Sequence, residues 1–86
     1  MTEYAILFAR SARKELEALP RSLSARIVMR IEALATNPRP RGCRKLHGSE
    51  NIWRIRLLEY RVIYGIDDSA RLVDINVVRH RRDAYR

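Results

Sequence analysis

Apolar residues recur along this 86-residue chain with two different periods. From Tyr4 to Phe8 they form a short run that reads as a strand. Beyond it the spacing becomes helical: Ala12, Leu16 and Leu19 share one face, Ser11 is placed to cap the helix and Pro20 to stop it. A second helix follows at once, with Ser22 as its expected cap, an apolar stripe of Leu23, Ile27, Ile31 and Leu34, and Asn37-Pro38 as its end. So short a connection predicts a helical hairpin. Arg13, Lys14, Glu15, Glu17, Arg26, Arg30 and Glu32 then belong to its solvated face.

After a segment broken by Pro38, Pro40 and Gly42, the period changes to two. Trp53, Ile55 and Leu57 alternate with Arg54 and Arg56, and Tyr60, Val62, Tyr64 and Ile66 form the apolar set of a second strand that carries Arg61 on its other side. A short turn near Glu59 joins the two strands. If both apolar sets face one core, Arg61 must share a face with Arg54 and Arg56. A turn at Asp67-Asp68-Ser69 leads to a last strand, Leu72 to Val78, with Val73, Ile75 and Val77 expected on its core side. Strict alternation would turn Arg79 inward, so the strand is expected to end or twist there. The order strand, helix, helix, then three strands predicts one α+β domain over residues 1–86, with the helical hairpin on one face of an antiparallel sheet and arginines on the other.

Charge sharpens this picture. The formal net charge is +8, and residues 39–86 carry 12 Lys/Arg against 6 Asp/Glu, whereas residues 1–38 carry 6 against 4. The positive field therefore lies mostly in the second half, which points to an anionic partner. Arg39, Arg41, Arg44 and Lys45 form a basic loop without an intervening acid. A single cysteine, Cys43, and two separated histidines offer neither an internal disulfide nor zinc-ligand spacing, so no metal or other cofactor is expected. The apolar stretch Ala5-Ile6-Leu7-Phe8-Ala9 is too brief for a signal peptide or a membrane span, which makes the cytoplasm the expected location.

The chain closes on Arg79-His80-Arg81-Arg82-Asp83-Ala84-Tyr85-Arg86. Guanidinium forks fit phosphate oxygens, and an aromatic ring can stack on an unpaired base. With Arg54, Arg56 and Arg61 on the sheet, this is an array suited to a phosphodiester. Fixed cations stabilise the charge that builds on the phosphoryl oxygens when a neighbouring 2′-OH attacks phosphorus, which favours RNA over DNA and needs no metal. Catalytic candidates are Arg54, Arg56, Arg61, Arg79 and Tyr85; Arg44, Lys45, His80, Arg81 and Arg82 are candidate RNA contacts. His47 is a weaker candidate. Trp53, Tyr60 and Tyr64 are assigned to the core by strand parity.

Taken together, Lys45-Leu46-His47-Gly48, Trp53-Arg54-Ile55-Arg56-Leu57, Tyr60-Arg61-Val62-Ile63-Tyr64 and the closing Arg79 to Tyr85 run resemble the RelE/ParE superfamily of bacterial toxins, and within it the RelE-like messenger-RNA endonucleases. The likeness spans nearly the whole chain. It implies a toxin of a type II toxin–antitoxin pair that enters the ribosomal A site and cuts the message by 2′-OH attack, leaving a cyclic phosphate and a 5′-hydroxyl. By the same resemblance, Arg54 and Arg56 match strand residues that contact substrate or assist the 2′-OH. Arg61 matches the phosphate-stabilising arginine, Arg79 the one serving the scissile phosphate and leaving group, Arg81 a supporting cation, and Tyr85 a stacking tyrosine. The first two positions are often lysine in the family, and arginine is much the poorer proton acceptor, which leaves the general base open. The resemblance further implies an acidic, partly disordered antitoxin through which the pair binds operator DNA. A gyrase-directed, ParE-like inhibitor without enzymatic activity is the alternative, and a basic RNA-binding or ribosome-binding domain without catalysis a third.

Overall fold

The computed structural model describes residues 3–82. Strand β1 (Ala5–Phe8) leads into helices α1 (Arg10–Glu17) and α2 (Arg21–Glu32), the latter prolonged by a 3-10 turn over Ala33–Ala35. Four strands follow: β2 (Arg44–Lys45), β3 (Ile52–Leu57), β4 (Tyr60–Asp67) and β5 (Leu72–His80). With β1 they form one five-stranded sheet in the order β1-β5-β4-β3-β2. The α+β class and the element order agree with expectation. Two features do not. The sheet is mixed, because the two-helix crossover returns the chain so that β1 lies parallel to β5 while all other neighbours are antiparallel. The segment read as a basic loop also contains β2, which pairs Arg44 with Arg54 and Lys45 with Trp53.

One face of the sheet is covered by the helices. Ala12 and Leu16 of α1, Ile27 and Ile31 of α2, and Leu34 bury themselves against Ile55, Leu57, Val62, Tyr64, Ile66, Val73, Ile75 and Val78. Burying this apolar set, rather than helix capping, drives the assembly. Ala9 and Pro20 occupy the N-cap positions without a side-chain cap. Ser11 and Ser22 are therefore not caps. Ser11 instead donates its hydroxyl to the Asn76 carbonyl at 2.9 Å, and Ala9 N–H donates to Ile75 O, so α1 covers the stretch of β5 beyond the end of β1.

β5 corrects the expected parity of the last strand. Ile63 stands opposite Val77, but Tyr64 stands opposite Ile75, so Asn76 is the extra residue of a β-bulge. Val78, not Val77, is then buried, and Arg79 emerges opposite Arg61 with the strand still continuing to His80.

The loop from Asn37 to Cys43 is tied down near its start. Tyr64, fully buried, donates its hydroxyl to Pro38 O at 2.8 Å. Arg39 packs over the Trp53 ring at 5.1 Å and grips Asp68 with both terminal nitrogens, at 2.8 and 3.2 Å. Tyr4 donates to the same carboxylate at 2.6 Å. These bonds, Arg39's first, hold the Asp68 pKa down to about 2, below the ordinary 3.8. A carboxylate depressed in the folded state contributes stability that is complete above its unfolded pKa and lost as pH falls through the folded value. The melting temperature should therefore drop between about pH 4 and pH 2, and Asp68→Asn should start lower and lose that part of the drop; equal acid sensitivity in thermal melts of both proteins would refute the assignment.

Candidate functional site

The face turned away from the helices is open, and strand register decides what stands on it. Arg56 is directly opposite Arg61, and Arg61 directly opposite Arg79, so three arginines stand in register in a row across β3, β4 and β5. With neighbouring strands about 4.8 Å apart, the row spans roughly 10 Å between its outer Cα atoms. Arg44 opposite Arg54 adds a second pair on the same face, one step along β3. A cleft of about 160 Å³ opens among them, lined by Gly42, Arg44, Arg54, Ile55, Arg56 and Arg61. Gly42 has φ of 97°, a left-handed conformation in which its hydrogen side chain meets no steric penalty, and it brings the loop to the cleft's rim.

Like charges directly opposite one another on a sheet are destabilising. Three such cross-strand pairs, Arg44 with Arg54, Arg56 with Arg61 and Arg61 with Arg79, have no rationale in packing. An anion bound across them would offset the repulsion. Among the described residues, no carboxylate lies within ion-pair distance of Arg44 or Arg54, whereas the ends of the row are partly balanced. Glu15 of α1 stands 3.8 Å from Arg79. Glu59, in the two-residue β3–β4 turn, stands 3.0 Å from Arg81 and 3.8 Å from Arg56. Its carbonyl also accepts the Arg81 N–H at 2.8 Å, which fixes where the chain leaves β5. Neither glutamate was singled out in the sequence, since Glu15 read as helix surface and Glu59 only as part of a turn.

More than half exposed, the Glu59 pairs contribute little to stability and mainly occupy cations that a phosphate would use. Glu59→Gln should therefore tighten binding of single-stranded RNA and steepen its salt dependence by roughly 0.7 in the slope of log K against log salt. Fluorescence anisotropy over a salt series measures this, and an unchanged slope would exclude competition by Glu59.

The other candidates distribute unevenly. Arg54, Arg56, Arg61 and Arg79 share the open face with Arg44. Lys45 does not, because its partner Trp53 directs it to the opposite face. His80 is set apart for the same reason: it pairs with Tyr60, their rings meet edge to face at 5.3 Å, and its Nδ1 accepts the Arg82 N–H at 3.2 Å. Arg82 is exposed, and His47 lies exposed in the turn before β3, outside the cleft. Arg39 is committed to Asp68 and Trp53, while Arg41 borders a neighbouring groove beside Arg30 and Arg56. Tyr85 falls outside the described residues.

Comparison with known proteins identifies the family. Residues 6–85 match the family model described as ParE toxin of type II toxin–antitoxin system, parDE. The chain belongs to the RelE/ParE toxin superfamily. A RelE/ParE relative, described as the toxin RelE1 of Methanocaldococcus jannaschii, is 33% identical over 76 residues, covering 85% of this chain and 84% of its own. The RelE–RelB complex of Pyrococcus horikoshii superposes with a TM-score of 0.80 at 29% identity, over 94% of this chain and 97% of the matched one. The toxin–antitoxin complex RelBE2 of Mycobacterium tuberculosis gives 0.78 at 30%, over 91% and 98%. The chain is thus a toxin of the RelE/ParE type, and no helix among its described residues is long and apolar enough to cross a membrane.

Proposed function

We propose that the protein is a ribosome-dependent endoribonuclease that cuts translated messenger RNA in the A site. The observation that carries this reading is the in-register row Arg56, Arg61 and Arg79 beside a cleft lined by Arg44 and Arg54. A scissile phosphate seated on the row would meet guanidinium groups from three strands. As the neighbouring 2′-OH attacks phosphorus, charge grows on the non-bridging oxygens, and prepositioned cations stabilise it without reorganising at the moment of reaction. The attacking oxygen loses its proton and the leaving 5′-oxygen gains one, giving a 2′,3′-cyclic phosphate and a 5′-hydroxyl. Arg61, half-buried at the centre, serves the phosphate; Arg79 serves the phosphate and leaving group; Arg54 and Arg56 hold the substrate strand, Arg81 supports them, and Tyr85 stacks on a base. No metal is assigned a part.

The relatives crystallised as RelE–RelB and RelBE2 complexes support a cognate antitoxin for this chain too. Its acidic segment would cover the cationic face, and operator DNA would be bound through it. Induction of the toxin in growing cells, followed by primer extension on translated and untranslated copies of one message, tests the reading. Cuts phased with codons and confined to the translated copy are expected. Intact messages accompanied by DNA damage and filamentation would replace the nuclease with a gyrase inhibitor.

A further inference from the structure

The open face changes character along the strands. Beyond the arginine row come Arg54, Ile63 and Val77, and beyond those Ile52, Gly65 and Asp74 stand opposite one another with Leu7 beside Asp74. Asp67 follows, opposite Leu72. The face is cationic at one end, apolar in the middle and acidic at the other. Where the apolar and acidic parts meet, a cleft of about 240 Å³ opens between Asn51, Ile52, Asp74 and Asn76.

Three independent features build this cleft. Gly65 forms its floor because it lacks a side chain; a Cβ there would meet Ile52 Cδ1 at 3.5 Å and Asn51 O at 3.7 Å. The β5 bulge brings Asn76 to its wall. Asp74 is exposed, and among the described residues nothing hydrogen-bonds or ion-pairs with its carboxylate. Asp67, by contrast, is occupied by Ser69 and the Ala70 N–H, so it closes that end as fixed negative charge.

We propose that this cleft is a nucleobase subsite, selecting a base with an exocyclic amino group from the same single strand whose phosphate lies on the arginine row. The identity of that strand rests on the nuclease reading above; the base preference is new. Phosphates are repelled from the acidic end, so only a base can turn toward it. Adenine, cytosine and guanine each offer an amino donor to the Asp74 carboxylate, while uracil offers only ring N–H and carbonyl groups and sets an oxygen against it. The Asn51 and Asn76 amides, each donor and acceptor, can complete a base edge. Gly65 lies four residues from Arg61 on one strand, about 13 Å away, so the selected base belongs to a nucleotide further along the strand than the one adjoining the phosphate on the row.

Short oligonucleotides of adenylate, cytidylate and uridylate, titrated into the purified protein by anisotropy, test the proposal. The wild type should prefer the first two over uridylate by about fivefold, the lower end for a specific base contact. Asp74→Asn and Gly65→Ala should each bring that ratio towards one; the alanine meets only ordinary contacts, and thermal melts verify both folds. Arg61→Ala should weaken all three oligonucleotides together and keep the ratio. A wild-type ratio of one, or a ratio unchanged in both cleft variants, overturns the subsite. Full affinity in Arg61→Ala would instead remove the phosphate site on which the nuclease reading stands, with the ratio still judging the cleft.

Discussion

Arg61→Ala should lower cleavage of translated messages by about 10²- to 10³-fold, the effect of removing one prepositioned donor to a developing oxyanion. Arg61 has Arg56 and Arg79 directly opposite on its two neighbouring strands, and it lines the cleft that Arg44 and Arg54 complete. It is also half-buried, which restrains its stem and holds the guanidinium in place before substrate arrives. Lysine at this position would keep the charge but lose the planar fork, so Arg61→Lys should recover binding better than rate. The fold should survive either change, because β4 presents Val62, Tyr64 and Ile66 to the core and Arg61 to the open face. The measurement is single-turnover cleavage on programmed ribosomes beside a thermal melt. Wild-type rates from Arg61→Ala in a folded sample would move the chemistry elsewhere.

That face was legible from the sequence because a strand has a period of two. Fixing Val62 and Tyr64 in the core by their hydrophobicity also fixes Arg61, and matching apolar sets align it with Arg54 and Arg56 without any knowledge of the turn. The same rule misled for β5. A bulge adds one residue without changing composition, so Val77 looked like core while Asn76 made room for Val78 and turned Arg79 outward. Partners across strands are equally silent in the chain: nothing in Tyr4 to Phe8 tells a parallel neighbour from an antiparallel one. Lys45 and His80 were judged by charge and proximity in sequence to arginines, yet alternation sends each to the face opposite its arginine neighbour. Glu15 and Glu59 showed only as helix surface and turn, because their meaning lies in which arginine they reach. Ser11 had a visible role as a cap, but α1 begins at Arg10 with Ala9 at the N-cap, so Ser11 lies within the first turn and its hydroxyl donates to the Asn76 carbonyl.

The largest structural effect is expected at Tyr64, whose side chain is fully buried on the core face of β4. Tyr64→Ala should destabilise the protein by about 3–5 kcal/mol through the lost burial and the cavity left behind. For a small domain that is a large share of the total. Tyr64→Phe isolates the hydroxyl: it leaves the carbonyl of buried Pro38 without its donor at a cost of about 1–3 kcal/mol. Pro38 begins the loop that carries Gly42 to the cleft and continues into Arg44, so the phenylalanine variant should also lose activity, although its ring never touches the open face. Burial also pushes the phenol's pKa well above its ordinary 10.0. Above about pH 10 the unfolded chain releases a proton that the folded chain retains, so wild-type stability falls as pH rises there. Tyr64→Phe has no such proton and should fall less steeply. Urea unfolding at pH 7 and pH 10.5 reads both effects: the gap between the two proteins should be wide at neutrality and narrower in alkali. A constant gap would place the hydroxyl outside the core.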